Sequence, residues 1–406
     1  MTIHPALVSP PDFDEDPYSP EVLRNPEGFY QRLREAGPVV RLTRYDAYAV
    51  GRQAQAKEVL TDYSRFTTTG GVGLADARKP GDARPLSELL EVDPPQHTST
   101  RSTVQRILSP VVIKTWRNDF QAAADRLVQG LRGREVEAME ELAEAFVFEV
   151  FPKALGIRFE PEAIRAIGLM MFNQSGPKND LWHAAVAGGT PYLEWLGDTC
   201  RRENVAPGSV SEQLFIAEDE GRLRQGVAAN MVRAFVRGGT DSTIAGIGAL
   251  LKHLSLQPET WKNLQADPGK LRIALDEAIR LESPFHVTFR TTLGATELAG
   301  CALEPDTKIG VFLGSAGRDP AAWSSPDVFD LDRRVGGNHI SFGAADHNCI
   351  GQMLARLESE SLMTALLRHC DTLEPAGAPT YRTINQMRMI EALPLRLGQG
   401  LVSAKD

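Results

Sequence analysis

Val227, Met231, Ala234 and Phe235, followed by Ile244, Ile247, Leu251 and Leu254, recur at three- and four-residue spacing, the period of an amphipathic helix. They predict one helix from about Arg222 to Leu256, about 45 Å long for roughly thirty residues. Its centre, FVRGGTDSTIAG from Phe235 to Gly246, interrupts the pattern with two adjacent glycines, an aspartate and three hydroxyl residues. Glycine inside a helix costs about 1 kcal/mol against alanine, and a buried carboxylate costs more unless it is paired. On the residues alone the stretch reads as a glycine kink whose hydroxyls bond back to carbonyls one turn earlier. That reading leaves the acid beside the alcohol unexplained.

The same spacing runs through most of the chain from Thr98 to Leu281. NPEGFYQRLREAG predicts a capped helix, VVRLTRYDAYAVGR a strand pair, and TTLGATELAGCALEPDTKIGVFLG a set of short antiparallel strands. Residues 1–24 read as coil. The stretch from Thr67 to Pro95 is too rich in Gly, Pro and Asp for regular structure, and a loop that long usually binds something. RDPAAWSSPDVFDLDRRVGGNH is a second irregular stretch, and a last helix begins near Cys349 with Ile350, Met353, Leu354 and Leu357 on one face. The expected fold is mainly α with minor β near both ends. No internal repeat or linker divides it, which predicts one domain over 1–406.

Composition narrows the function classes. Of the 406 residues 42% are hydrophobic and 24% charged, with a net charge of -9, so nucleic acid and anionic membrane are not the expected partners. No apolar run approaches the roughly 18 residues that span a bilayer, and MTIHPALVSPPDFDEDP is unlike a signal peptide. A cytoplasmic monomer is expected. Cys200, Cys301, Cys349 and Cys370 lack CxxC spacing, which suits reduced thiols.

SFGAADHNCIGQMLARLE places Cys349 between a small-residue loop and an apolar helix. A thiol at a helix start meets the positive end of the macrodipole and unpaired N–H groups, both favouring thiolate. Gly343 and Gly351 allow close backbone approach to a flat partner, and Phe342 supplies a wall. Two readings stay open on these residues: a buried structural cysteine, or a thiolate ligand to haem iron. Similarly, Glu277 and Arg280 in LDEAIRLESP, and His97 and Arg101 in DPPQHTSTR, are by spacing helix-surface pairs as readily as anything else.

Together these motifs closely resemble the cytochrome P-450 haem-thiolate monooxygenases, in family order from about Asn25 to Leu395. Phe342, Gly343, His347, Cys349 and Gly351 match the cysteine-loop signature, with Ala345 where the family usually has glycine. The resemblance implies haem b with Cys349 on the iron. It implies a buried structural triad of Glu277, Arg280 and Arg333, and propionate contacts from His97, Arg101, Arg290 and His347. GGTDST then lies over the opposite face of the haem, Asp241 relaying protons and Ser242 placing a hydroxyl where threonine is usual. No flavin or nicotinamide fingerprint is present, so electrons are expected from a ferredoxin and its reductase, docking on a basic face containing Arg101, Arg106, Lys114 and Arg356.

Within the family, RPLSELLEVDPP, GPKND, VFLGSAGRDP and ESPFHVTFRTT resemble bacterial enzymes that oxidise or O-demethylate para-substituted benzoic acids. The subgroup implies substrate contacts from Arg84 and Ser87 in the 67–95 capping loop and from Arg233, Ala234, Arg237 and Gly238 on the distal helix. Phe172, Ser175, His286 and Thr288 complete the expected pocket. Ala234 and Arg237 replace serines, and Ser175 replaces an aromatic. The expected substrate is a small aromatic acid bearing extra ring oxygens, or a related phenolic, in preference to plain para-methoxybenzoate, consumed with O2. The alternatives are a tailoring enzyme for larger or carrier-bound aromatics and a haem protein with weak turnover.

Overall fold

The computed structural model of the chain describes residues 7–79 and 86–400. Helices make up most of the body from Gln96 to Glu282, and a further long helix, Gln352–His369, returns to pack on Arg117–Leu131. The terminal helix starts three residues beyond Cys349. Leu142, Phe146, Leu251, Leu254, Leu362 and Leu366 have no exposed surface in the largest core cluster. Burying side chains of this size stabilises by about 1.5–3 kcal/mol each.

The β portion joins both ends of the chain. Six strands lie in the order Asp12–Phe13, Val40–Leu42, Ala47–Val50, Lys308–Val311, Thr288–Thr292 and Phe66–Thr67. Val40–Leu42 and Ala47–Val50 form the expected antiparallel pair, and Ala47–Val50 runs parallel to Lys308–Val311. The N-terminal segment is not wholly coil, because Asp12–Phe13 joins this sheet and Pro20–Arg24 is a helix capped by Ser19. Asn25 closes that helix, so Glu27–Ala36 begins at Pro26 with no side-chain cap. Among the described residues no helix is long and apolar enough to cross a membrane.

The long central helix is two helices, Val227–Gly238 and Asp241–Ser255, parted at Gly239 and Thr240. A Cβ on Gly239 would overlap the Phe151 ring. The glycine there admits an aromatic side chain against the backbone.

Glu277 and Arg280 on Leu271–Glu282 have no exposed side-chain surface, which rules out a solvated pair. Arg280 Nε donates to Glu277 Oε2 at 2.7 Å and Nη2 to Oε1 at 2.8 Å, while Nη1 donates to the carbonyls of Gly317 and Pro326 at 2.5 and 2.7 Å. Arg333 Nε donates to Glu277 Oε1 at 2.8 Å and its Nη1 to Ser324 O at 2.5 Å. Residues 317–344 contain no helix or strand, so these donors replace the ladder bonds that irregular backbone lacks. Removing one partner of a buried, hydrogen-bonded ion pair costs about 3–5 kcal/mol. Glu277→Ala should therefore lower the free energy of unfolding by about that amount in a urea titration. A loss comparable to that of an exposed pair such as Lys262–Glu259, with side chains 65% and 83% exposed, would contradict this role.

Candidate active site

Residues 341–351 turn back on themselves. Gly343 N donates to Ile340 O at 2.8 Å and Cys349 N to Phe342 O at 2.7 Å. Gly343 has φ +80° and Ala345 φ +47°. The left-handed conformation costs a non-glycine residue about 1–2 kcal/mol, so alanine occupies this position at the expense of local strain. Cys349 has accessible surface, unlike Cys200, Cys301 and Cys370, which are buried. Protein still surrounds its sulphur closely enough for burial to push the thiol pKa up, as for a group facing an internal cleft. The Gly351 and Gln352 N–H groups and the Arg101 and Arg356 guanidinium groups pull it down. The expected effect of the helix start is therefore real, but burial outweighs it. A coordinated metal ion deprotonates such a thiol outright.

Beside the loop, four nitrogen-bearing side chains, His97, Arg101, Arg290 and His347, converge, with the carboxylates of Asp93 and Asp346 near some of them. His97 is 1% exposed, and neither of its ring nitrogens, nor His347 Nε2, has a hydrogen-bond partner among the described residues. The two rings lie 4.2 Å apart. Burial lowers the His347 pKa to about 3, with Arg290, His97 and Arg101 adding to the effect. Burial likewise lowers Arg290 to about 10, partly offset by Asp93. Arg290 Nη1 donates to Phe289 O at 2.9 Å, and Arg101 Nη2 to Asn348 O at 2.6 Å. Buried polar groups left unpaired are costly, so this set fits a ligand with carboxylates at one edge. The two propionates of haem are such an edge.

On the opposite side, the two adjacent glycines differ. Gly238 faces open space, with no atom within 4 Å of where a Cβ would lie, whereas Gly239 is packed under Phe151. Of the two, only Gly238 has open space beside its backbone. Ser242 Oγ donates to Gly238 O at 2.9 Å and Thr243 Oγ1 to Gly239 O at 3.1 Å, so both hydroxyls adopt the back-bonded form. Asp241 lies against Gly168 of the helix Pro161–Gln174, where a Cβ would overlap its carboxylate. Burial, followed by Glu144, raises its pKa to about 7, and Arg382, Thr240 and Arg165 pull the other way.

Arg233, Ala234, Arg237 and Gly238 are half-buried on one face of Val227–Gly238. Arg233 and Arg237 lie near enough to the Cys200 thiol to lower its pKa, though burial raises it more. Ser87 Oγ accepts from Leu89 and Leu90 N–H at 3.3 and 3.1 Å, leaving its own O–H to donate. Arg84 lies outside the described residues. Ser175 and Thr288 are half-buried.

Two expected pocket residues are placed elsewhere. Phe172 has no exposed surface and stacks edge-on against Phe285 at 5.2 Å. His286 is buried, its ring on Asn385 O at 3.0 Å, in a small cleft with Val22, Tyr30, Phe312 and Arg388. Burial lowers its pKa to about 4, so it is neutral and part of the packing against the N-terminal helices. Phe285 is half-buried and packed against Phe172. Two members of the expected basic face are also turned inward. Arg101 serves Asn348, and Arg356 donates to Asp276 at 2.7 Å and covers the Phe342 ring at 4.6 Å. Arg106 and Lys114 are exposed.

Similarity to known proteins agrees with this geometry. The family described as Cytochrome P450 matches residues 270–396. Cytochrome p450 CYP199A2 of Rhodopseudomonas palustris is 39% identical over 98% of this chain and 99% of its own. The epothilone C/D epoxidase of Sorangium cellulosum is 26% identical over 94% of this chain and 95% of its own. Among solved structures, cytochrome P450 CYP109Q5 from Chondromyces apiculatus superposes with a TM-score of 0.78 at 28% identity, covering 96% of this chain and 99% of that one. The chain belongs to the cytochrome P450 family, monooxygenases that carry haem b on a cysteine thiolate.

Proposed function

We propose that the protein, acting as one domain, hydroxylates or O-demethylates a small aromatic acid with Cys349 as the haem ligand. The observation that carries the substrate class is the cationic face of the distal helix: Arg233 and Arg237 stand one turn apart beside Gly238, which faces open space. Arg233, half-buried on the same face as Gly238, is the guanidinium suited to a carboxylate. Ser87 adds an O–H donor, and the relative CYP199A2 is similar along almost its whole length. Polar Ser175 and Thr288 suit oxygens on the ring.

His97, Arg101, Arg290 and His347 would hold the two carboxylates of the haem edge, and Phe342, Gly343 and Gly351 would let the cysteine loop approach it. Bound haem supplies the chemistry that activates O2 with two electrons. Those electrons come from a ferredoxin and its reductase, for which exposed Arg106 and Lys114 offer positive charge. Asp241, near neutrality in its titration, takes protons from outside and passes them inward. The Ser242 hydroxyl, beside the open Gly238 position, accepts a hydrogen bond while its own hydrogen stays on Gly238 O.

Arg233→Ala should weaken binding of para-substituted benzoates about 10- to 100-fold, the worth of a hydrogen bond to a charged group, in a Soret titration. Neutral ring analogues should lose little. Equal losses for both, or the most complete spin shifts with terpenes or fatty acids, would sink the assignment. Serine also lacks the methyl that restrains a threonine rotamer. Ser242→Thr should accordingly raise product formed per NADH consumed and lower peroxide release, and an unchanged or poorer ratio would overturn that expectation.

A further inference from the structure

Asp241 is the group through which the proposed chemistry takes up protons, and what surrounds it decides whether it can. Its carboxylate rests on Gly168. Arg165 lies three residues earlier on the same helix, hence on the same face, within range to lower the Asp241 pKa. A guanidinium paired with a buried carboxylate lowers its pKa by about 1–3 units. Full pairing would hold Asp241 ionised at neutral pH and unable to give a proton. Arg165 is instead turned away: its Nε donates to Glu144 Oε2 at 3.0 Å and its Nη2 to Glu144 Oε1. Glu140 and Glu162 add negative charge around it, and its guanidinium covers the Phe148 ring at 5.3 Å.

Glu144 is the last residue of a seven-residue π-helix, Ala138–Glu144, which packs along Asp241–Ser255, where Met139 lies against Gly248. π-helical turns are rare and concentrate at functional sites. Arg382, the other cation facing Asp241, lies on the strand Thr380–Arg382 and is 3.7 Å from Glu391. Each arginine near Asp241 thus has a carboxylate of its own. The charged groups around Asp241 are then Glu144 from the π-helix, Arg165 from Pro161–Gln174 and Arg382 from the strand, with the Thr240 hydroxyl beside it.

We propose that Glu144 is a positioning residue for proton uptake: by engaging Arg165 it keeps that guanidinium off Asp241, so that Asp241 exchanges protons with water. The proton enters from water onto the Asp241 carboxylate and leaves it toward the oxygen site, with no change of oxidation state at either residue. This rests on the reading of Asp241 as the proton relay.

The sign of the effect separates this role from a structural one. Glu144→Gln removes a negative charge and releases Arg165, both lowering the Asp241 pKa. Arg165→Gln removes the cation and leaves Glu144 bare, raising it. In the ferric holoenzyme, the infrared band of the protonated Asp241 carboxyl, assigned by its absence in Asp241→Asn, is titrated against pH. Its midpoint should fall by about 1 unit or more in Glu144→Gln, rise in Arg165→Gln, and lie near the parent value in the double variant. The pH profile of product formation should move in the same directions. Shifts of the same sign in both single variants, or none, would overturn the proposal while leaving the relay standing. If Asp241→Asn leaves the pH profile of product formation unchanged, the relay reading itself fails. Should one single variant fail to fold, the direction of the other still decides.

Discussion

Glu277 is the point at which the irregular part of the chain is tied to the regular part. Residues 317–344 carry no helix or strand, yet they lead directly into the loop that presents Cys349. Arg280 and Arg333 gather around one carboxylate and bond to the carbonyls of Gly317, Ser324 and Pro326. In a segment with no ladder of its own, those guanidinium groups supply the missing donors. A neutral replacement would leave Arg280 buried without a counter-charge, Arg333 keeping only Asp330 at 4.0 Å.

The cluster proposed to hold the haem carboxylates shows an imbalance of the opposite kind. Around Arg290 and His347 positive charge and unpaired donors accumulate until burial depresses their pKa values. Asp93 is the nearby acid, but its oxygens already receive Thr67 and Thr68. A polypeptide alone does not reward such an arrangement, whereas a dianionic edge does. Preorganised donors then cost nothing further when the ligand arrives.

Across the cavity, the break between Gly238 and Asp241 divides two tasks between neighbouring residues. Gly238 opens space on one side, Gly239 admits Phe151 on another, and Asp241 turns toward the helix carrying Gly168. The acid and the Ser242 hydroxyl are adjacent in sequence but have different neighbours, the carboxylate resting on Gly168 and the hydroxyl donating to Gly238 O. Arg237 lies one turn before Asp241 but on the preceding helix, so the two are joined through the break at Gly239 and Thr240.

Periodicity by itself was enough to identify the long interrupted helix, because helical spacing is a local property of a chain. The role of the cysteine loop, the candidate donors at His97, Arg101, Arg290 and His347, and the departures at Ala345 and Ser242 came from the resemblance to the cytochrome P-450 family, and the structure gave the first departure a physical meaning as a left-handed alanine. What spacing could not decide was which way a side chain faces. Phe172 and His286 fit the pocket by position yet are buried in packing against Phe285 and the N-terminal helices. Arg356 fits a basic surface by composition yet pairs with Asp276. Glu144 and Arg165, separated by 21 residues, meet beside Asp241 only after three elements pack together. Burial and electrostatic partners are sums over contacts distant in sequence, so tertiary structure alone decided them.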